Sequence, residues 1–194
     1  MELLRKNIRP GEVYRRSDLE YYSTAIDRHL RQLTTEGELI KLNQGLYYAP
    51  EHSKFGPVPP DDSTLVARFL KSDEFLIVTP NAYNTLGLGL TQLYNARWVY
   101  NHKRRGEITL DRKTFLFKMK SAFPAAITKE YLLVDLLNNL DNLAEDASAV
   151  VYRFRENIRN FSTDELMNAS QLYGSGETKK ILKSVIRKVN LKLT

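Results

Sequence analysis

A group of side chains suited to hydrogen bonding with nucleic-acid bases recurs at helical spacing between residues 24 and 36. Arginine pairs in bidentate fashion with guanine O6 and N7, glutamine pairs with adenine N6 and N7, and threonine reaches phosphate or a thymine methyl group. On a helical wheel the group lies opposite an apolar stripe of Ile26, Leu30 and Leu33. The pattern predicts a recognition helix that enters the major groove of duplex DNA with Thr24, Arg28, Arg31, Gln32 and Thr35.

The same face is compatible with an ordinary solvated helix, so its context decides between the two interpretations. Two short strands joined by a tight turn follow the helix, as the wing follows the recognition helix in winged helix-turn-helix proteins. We therefore favour DNA binding, with wing contacts to phosphate or to an adjacent minor groove from Lys41, Asn43 and Gln44. Asp27 lies on the flank of this face and would repel phosphate, which favours entry by the N-terminal side of the helix, centred on Arg28.

Positive charge is unevenly distributed along the chain. The formal net charge is +6, yet residues 1–52 hold eight basic and eight acidic side chains. Residues 97–120 hold eight basic against two acidic side chains, and residues 179–194 add six basic ones. Such runs are often only solvated surface, but they could also add DNA backbone contacts or bind an acidic protein partner. The predicted secondary basic patch consists of Arg97, Lys103, Arg104, Arg105, Arg112, Lys113, Lys118 and Lys120.

Residue types that would support catalysis or metal binding are sparse. The chain has no cysteine, which excludes disulfides, zinc fingers and thiol nucleophiles. The histidines are far apart and in no metal-ligand spacing, at His29, His52 and His102. Gly87-Leu88-Gly89 lacks the third glycine of a dinucleotide fingerprint, and the segment 174–179 has glutamate where the lysine of a phosphate-binding loop belongs. We therefore predict a protein that is not an enzyme and that uses neither a metal nor a cofactor.

The elements around the candidate helix fit one small module. Helices are predicted at about 1–7, 17–22 and 24–36, with Ser23 or Thr24 capping the third helix and Gly37 ending it. Strands are predicted at 39–42 and 46–49. Three helices and a hairpin indicate an N-terminal winged helix-turn-helix domain over residues 1–52. The proline-rich segment 53–60 predicts an extended, semi-rigid interdomain linker.

Residues 61–194 are predicted to form a C-terminal mixed domain, which makes the fold class α+β. Asp61 or Asp62 caps a helix, an apolar strand covers 75–78, and Thr79-Pro80 opens a helix that ends near Gly87. Alternating aromatic residues predict an antiparallel meander over 96–120 with turns at 104–106 and 111–112. Four helices follow. The third opens with a capping box at 162–165 and ends at Gly174, and the last runs from about 178 to 191 with Lys180, Lys183, Arg187 and Lys188 facing outward.

Composition indicates a globular protein. The chain is 42% hydrophobic and 27% charged, and no run approaches the roughly 18 consecutive apolar residues of a membrane span. The first six residues are too few and too charged for the apolar region of a secretory signal. We expect a soluble protein in the cytoplasm, with no membrane partner.

Two stretches of the sequence resemble the AbiEi family of bacterial antitoxins. The first begins at Val13-Tyr14-Arg15-Arg16, passes through the candidate helix and ends at Gly45-Leu46-Tyr47-Tyr48-Ala49-Pro50. The second is Thr79-Pro80-Asn81-Ala82-Tyr83-Asn84-Thr85-Leu86-Gly87-Leu88, followed by Arg97-Trp98-Val99-Tyr100 and the basic segment after it. The helix-turn-helix stretch is common to many regulators, so the second stretch is the more specific.

The resemblance implies a two-domain transcriptional repressor that acts as the antitoxin of an abortive-infection toxin–antitoxin operon. Its N-terminal domain would bind inverted repeats in its own promoter. Its C-terminal domain would be needed to counteract a nucleotidyltransferase-like toxin, without a stable complex between the two proteins. The resemblance assigns recognition-helix positions to Thr24, Arg28, Arg31 and Gln32, and wing positions to Lys41, Asn43 and Gln44.

Two other classes of function stay open. One is a winged-helix regulator whose C-terminal domain binds a protein partner or a small effector, with no toxin involved. The other, which is less favoured, is an enzyme that modifies nucleic acid. A nucleotidyltransferase gene beside this one would favour the antitoxin.

Overall fold

The computed structural model describes the backbone of residues 1–190 and the side chains of residues 1–187. Within that part of the chain the protein is mixed α+β, with eight α-helices and nine β-strands. Two compact units are present. Unit 1 comprises Met1–Phe75 and Lys103–Phe117, and unit 2 comprises Leu76–His102 and Lys118–Thr194.

Unit 1 begins with three helices and a small sheet. Helix α1 (Glu2–Lys6), strand β1 (Val13–Arg15), helix α2 (Arg16–Leu19), a 3-10 turn (Glu20–Tyr22) and helix α3 (Ile26–Thr35) are followed by strands β2 (Ile40–Asn43) and β3 (Leu46–Tyr48). The strands pair antiparallel in the order β1-β3-β2. The three expected helices and the two expected strands are present. Strand β1 was not predicted, because three residues give no readable alternation.

The apolar stripe of α3 anchors this unit. Ile26, Leu30 and Leu33 are buried in one cluster that also contains Leu4 of α1 and Leu19 of α2. The prediction that these three residues form an inward face is therefore confirmed. The start of the helix was predicted wrongly, since α3 begins at Ile26, Ala25 occupies the cap position and no side chain caps the helix. Thr24 consequently precedes α3 instead of lying on its outer face.

The proline-rich segment is folded, which differs from the expected extended linker. Strands β4 (Glu51–Ser53) and β5 (Gly56–Val58) pair as an antiparallel hairpin. Pro57 is opposite His52, and a two-stranded hairpin tolerates proline because both strands are edges. The Tyr48 hydroxyl donates a hydrogen bond to the Val58 carbonyl oxygen at 2.7 Å. Residues 53–60 thus lie inside unit 1, and this unit does not end at residue 52.

Helix α4 (Asp62–Leu70) also belongs to unit 1. The side chain of Asp61 accepts a hydrogen bond from the Thr64 amide at 3.0 Å, so the predicted cap is confirmed. At the other end of the helix, Arg15 of β1 donates from Nη2 to the Phe69 carbonyl oxygen at 2.6 Å and from Nε to the carbonyl oxygen of Arg68. These bonds satisfy carbonyl groups at the end of the helix and join α4 to β1.

The segment predicted as a meander has a different strand order. Strands β6 (Phe75–Val78), β7 (Arg97–Asn101), β8 (Gly106–Leu110) and β9 (Lys113–Met119) are hydrogen-bonded in the order β6-β7-β9-β8. A meander would place β8 beside β7, whereas β9 occupies that position. The turn between β8 and β9 was predicted correctly, and its residues Asp111 and Arg112 both have positive φ. Alternation locates strands but is identical for every choice of neighbour, which is why the order was missed.

The remaining elements lie in unit 2. A 3-10 helix (Pro80–Leu86) ends at Gly87, which has a φ of 69°, so the helix expected here is present but is 3-10 in type. Helices α5 (Lys129–Asn138), α6 (Ala147–Glu156), α7 (Thr163–Tyr173) and α8 (Gly176–Asn190) follow, with short 3-10 turns at Leu140–Asn142 and Ile158–Asn160. The predicted outward position of Lys188 and the predicted helix end at residue 191 lie outside what the structure describes.

Two predicted ends in this unit are confirmed. The Ser162 hydroxyl accepts a hydrogen bond from the Glu165 amide at the start of α7, and Gly174 follows the last residue of that helix. None of the helices in the described part of the chain is long and apolar enough to cross a membrane.

Candidate nucleic-acid interface

The outer face of α3 presents two arginines. Arg28 and Arg31 are both exposed, whereas Leu30 and Leu33 of the apolar stripe are 1% and 0% exposed. Neither guanidinium makes a hydrogen bond or an ion pair with another residue in the described part of the chain. Residues three apart on a helix are neighbours on its surface. The two arginines therefore form an adjacent pair whose donors are available to a ligand.

The acidic residue closest to this pair in sequence, Asp27, is ion-paired within unit 1. Arg16 donates from Nε to Asp27 Oδ1 at 2.7 Å and from Nη2 to Asp27 Oδ2 at 3.0 Å. This pairing lowers the pKa of the Asp27 carboxyl below its ordinary value. The Arg16 guanidinium, which also pairs with Glu20, offsets part of the repulsion of phosphate expected from Asp27.

Other acidic residues of the first 52 are paired in the same way. Arg5 forms ion pairs with both Glu36 and Glu38, and Arg16 also pairs with Glu20 at 2.6 Å. The arginines that form these ion pairs, Arg5 and Arg16, are not the arginines of the predicted recognition face. Although residues 1–52 have no net charge, the exposed face of α3 keeps two guanidinium groups that form no ion pair with a described residue.

The other predicted residues of α3 are partly engaged within the helix. Gln32 Nε2 donates to Glu36 Oε1 at 2.8 Å, and the Thr35 hydroxyl donates to the Arg31 carbonyl oxygen at 3.0 Å. The Gln32 amide keeps its carbonyl oxygen as an acceptor, and the Thr35 methyl group stays available for apolar contact. These side chains are weaker candidates for reading bases than the two arginines.

The β2–β3 hairpin presents two of the three predicted wing residues. Lys41 and Gln44 are exposed. Asn43 is engaged within unit 1, because its Nδ2 donates to the Thr109 carbonyl oxygen of β8 at 2.8 Å and its Oδ1 accepts from the Gln44 amide at 2.6 Å. Asn43 fastens the hairpin turn to β8, which is a structural use of an amide that was expected to face DNA.

The predicted secondary basic patch is divided between the two units. Lys103, Arg104, Arg105, Arg112 and Lys113 belong to unit 1, whereas Arg97, Lys118 and Lys120 belong to unit 2. Continuity in sequence had suggested one patch. The strand order explains the division, since the chain leaves unit 2 after β7 and returns to it at the end of β9.

Two of the five basic residues of the patch that belong to unit 1 are held by hydrogen bonds to a carboxylate or a backbone carbonyl group. Lys113 Nζ donates to Asp62 Oδ1 at 2.7 Å, and Lys103 Nζ donates to the Lys71 carbonyl oxygen at 2.9 Å. Arg104 lies over the Phe69 ring, 4.9 Å from its centroid. Arg105 and Arg112 are exposed and have no hydrogen-bond or ion-pair partner among the described residues.

A cleft brings part of this hairpin together with the β2–β3 hairpin. Its volume is about 510 Å³, and Lys41 and Arg112 both line it, together with Asp111 and the prolines of the 57–60 segment. Two cations from separate hairpins thus border one groove. This juxtaposition was not predictable from the sequence, because the two residues are 71 positions apart.

The two lysines of the predicted patch that belong to unit 2 contact buried polar side chains. Asp135 of α5 is 1% exposed and accepts hydrogen bonds from the hydroxyls of Tyr83 and Tyr100, each at 2.8 Å. Lys120 Nζ donates to Asp135 Oδ1 at 3.0 Å and lies 3.6 Å from the centroid of the Tyr100 ring. Burial raises the pKa of both tyrosines above the ordinary value, and the Asp135 charge adds to this effect.

Lys118, like Lys120, is partly buried. Its ammonium donates to Asn139 Oδ1 at 3.0 Å and lies 3.5 Å from the centroid of the Trp98 ring. Burial lowers the pKa of Lys118 to about 8. Lys118 and Lys120 are therefore structural residues of unit 2 and poor candidates for DNA contacts.

The histidines do not gather at any site. His29 Nδ1 is hydrogen-bonded to the Ser23 hydroxyl at 2.7 Å, His52 is exposed on β4, and His102 stacks on Phe123. In the described part of the chain, no group of three or more His, Asp or Glu side chains is placed to hold a metal ion.

The motifs that resemble the AbiEi family lie in both units. The first stretch forms β1 to β3 with α2 and α3, and the Leu86-Gly87-Leu88 stretch ends the 3-10 helix of unit 2. The resemblance rests on these residues alone. No family model, curated protein or solved structure matches the chain.

Proposed function

We propose that unit 1 is a winged helix-turn-helix module that binds duplex DNA. In this interpretation α2 and α3 form the helix-turn-helix, and the β2–β3 hairpin is the wing. One observation carries the proposal: Arg28 and Arg31 stand side by side on the exposed face of α3, unpaired, while Asp27 beside them is bound by Arg16. An arginine on a helix that fits the major groove can donate two hydrogen bonds to one guanine, at O6 and N7.

We propose further that the β8–β9 hairpin supplies phosphate contacts in the same unit. Residues 103–117 carry five basic side chains against Glu107 and Asp111. Lys41 of the wing and Arg112 of the hairpin line one cleft, so a DNA strand that follows the wing would meet both. The residues proposed to read bases and those proposed to bind phosphate then belong to one compact unit. Residues 1–52 alone have no net charge and would bind DNA weakly, so the hairpin supplies the positive charge that they lack.

Charge reversal on the hairpin should weaken binding and flatten its salt dependence. We expect the double variant Arg105→Glu and Arg112→Glu to bind the DNA upstream of its own gene more weakly. At about 0.1 M salt the loss should be roughly tenfold for each phosphate contact removed, with the log–log salt slope smaller by about 0.9 per contact. Fluorescence anisotropy over a series of salt concentrations measures both quantities.

The matched control for this experiment is Arg159→Glu. Arg159 is an exposed arginine on a 3-10 turn of unit 2, outside the predicted basic patch. We expect its affinity and salt slope to equal those of the unaltered protein. A double variant of the hairpin with an unchanged salt slope would remove the hairpin from the DNA interface.

We also propose, from the AbiEi resemblance, that the chain represses its own promoter and acts as an antitoxin. The partner would be a nucleotidyltransferase-like toxin encoded beside it, counteracted without a stable complex. The test is co-expression of the neighbouring gene with this chain, scored by growth. We expect the neighbouring gene to arrest growth when it is expressed alone, and co-expression of this chain to restore growth. The Arg28→Ala, Arg31→Ala variant should restore growth as well, since neutralisation is assigned to unit 2.

The second candidate function is a regulator whose C-terminal unit binds a small effector, with no toxin. It is favoured by a cavity of about 510 Å³ that lies wholly within unit 2 and is lined by Leu137 and Arg155 among others. A neighbouring gene that is harmless when expressed alone would favour this candidate over the antitoxin.

A further inference from the structure

The cavity in unit 2 is formed by four helical elements, of which the first three follow one another along the chain and the fourth comes after α7. The end of α5, the 3-10 turn after it, one face of α6 and the start of α8 all contribute residues to its walls. Its volume is about 510 Å³, within the range of roughly 300–1,000 Å³ that small-molecule sites occupy. All of its lining residues belong to unit 2, so its shape depends on that unit alone.

The cavity has an apolar floor and an aromatic rim. Leu137 and Leu140 are buried, and Val151 and Ile181 are half-buried beside them. Tyr152 also lines the cavity and is 60% exposed, although it is a large aromatic residue. An exposed aromatic side chain at the rim of an apolar hollow gains contact area when an apolar body enters it.

Charged groups that lack partners surround this floor. Arg155 lines the cavity, and its Nε is shielded from solvent but has no hydrogen-bond acceptor. Asp141 and Glu177 line the same cavity, and neither carboxylate forms an ion pair with a basic residue in the described part of the chain. An arginine whose shielded Nε has no acceptor favours an anion that can reach its other N–H groups. The two carboxylates favour a cation and disfavour a purely anionic ligand.

We propose that this cavity binds a small zwitterion with an apolar body, of which a free α-amino acid with an apolar side chain is the simplest. The ligand carboxylate pairs with the Arg155 guanidinium, its ammonium group lies toward Asp141 or Glu177, and its side chain covers Leu137, Leu140 and Val151. A ligand with only one of the two charges leaves part of the charged lining unmatched.

The test is calorimetric titration of the chain, without DNA, with L-phenylalanine and L-leucine. Two further probes, 3-phenylpropionate and 2-phenylethylamine, each retain one charge of phenylalanine. We expect at least one amino acid to bind, and each single-charge analogue to bind about tenfold more weakly or less than phenylalanine. Absence of binding by both amino acids at about 10 mM, or equal binding of 3-phenylpropionate and phenylalanine, would overturn the proposal.

Two variants locate the site. Arg155→Gln should weaken amino-acid binding by about tenfold or more, and Val151→Phe should abolish it by filling the cavity while Arg155 is kept. Arg159→Gln removes an arginine that does not line the cavity and should bind normally. The fluorescence of Trp98, the single tryptophan, reports whether each variant of unit 2 is folded. Normal binding by a folded Val151→Phe variant would place the ligand elsewhere.

Because the titration contains no DNA, its result does not depend on the function proposed for unit 1. The Arg28→Ala, Arg31→Ala variant should therefore bind the amino acid as the unaltered protein does. Failure of the DNA proposal and failure of the ligand proposal are in this way distinguishable.

Discussion

Replacing both Arg28 and Arg31 by alanine should remove sequence-specific binding to the DNA upstream of the gene. Each arginine that reads a base contributes about 1–3 kcal/mol to discrimination, so the double variant should lose affinity on the order of a hundredfold or more. The two side chains are exposed and have no hydrogen-bond or ion-pair partner among the described residues, so the fold should be unaffected. Anisotropy titrations with the upstream DNA and with a scrambled duplex of equal length measure the change.

The comparison between the two duplexes separates base reading from phosphate binding. We expect affinity for the upstream DNA to fall toward that for the scrambled DNA, which should change little. The single variant Arg159→Ala, with the same loss of a side chain in unit 2, should leave both affinities unchanged. An equal loss on both duplexes would mean that the α3 arginines contact only phosphate, and no loss on either would remove α3 from the interface.

Replacing Asp135 by alanine should destabilise unit 2 by about 3–5 kcal/mol, because removal of one member of a buried charged network leaves its partners uncompensated. Tyr83 and Tyr100 would lose the acceptor of their buried hydroxyls, and Lys120 would lose its counter-ion. Urea unfolding followed by the fluorescence of Trp98 measures the effect, since this residue lies in unit 2.

Two further substitutions make the Asp135 result specific. Glu156→Ala removes an exposed carboxylate of α6 and should change the free energy of unfolding by less than about 0.5 kcal/mol. Asp135→Asn keeps the shape of the side chain and one acceptor oxygen, so it should lower the free energy of unfolding by less than Asp135→Ala does. It should still be destabilising, because Lys120 loses its counter-ion. If Asp135→Ala unfolds at the same urea concentration as the unaltered protein, the network does not hold unit 2 together.

Local signals in the sequence were sufficient for most elements. The stripe of Ile26, Leu30 and Leu33, the cap at Asp61 and the end at Gly87 each depend on residues within two helical turns or one loop. Such features are encoded where they occur, so they could be predicted. The start of α3 was predicted two residues too early because Ser23 and Thr24 are good cap types, whereas the backbone turns into the helix at Ala25 without a side-chain cap.

Non-local arrangement was not predictable. The prolines of the 53–60 segment suggested a spacer, but Tyr48 binds the Val58 carbonyl and the segment pairs as a hairpin. The return of residues 103–117 to unit 1 depends on contacts such as Asn43 with Thr109, which are 66 positions apart. Hydrophobic alternation carries no information on which distant strand will be the neighbour.

The candidate site was predicted in part for the same reason. Arg28 and Arg31 could be identified because one helix places them, whereas the role of Arg112 beside Lys41 needs two hairpins to meet. Lys118 and Lys120 counted as surface charge, although they point to Asn139 and Asp135. One signal was present for the network: Asp135 is an acidic residue within the apolar run 131–137 of α5, and an ionised group in such a run requires partners.

The most direct test of the account is a comparison of two affinities of the unaltered protein at one salt concentration. The full chain is titrated against labelled duplex DNA from immediately upstream of its gene and against a scrambled duplex of the same length and composition, at about 0.15 M salt. We expect affinity for the upstream duplex to exceed affinity for the scrambled duplex by roughly a thousandfold or more. Equal affinities for the two duplexes would contradict the account.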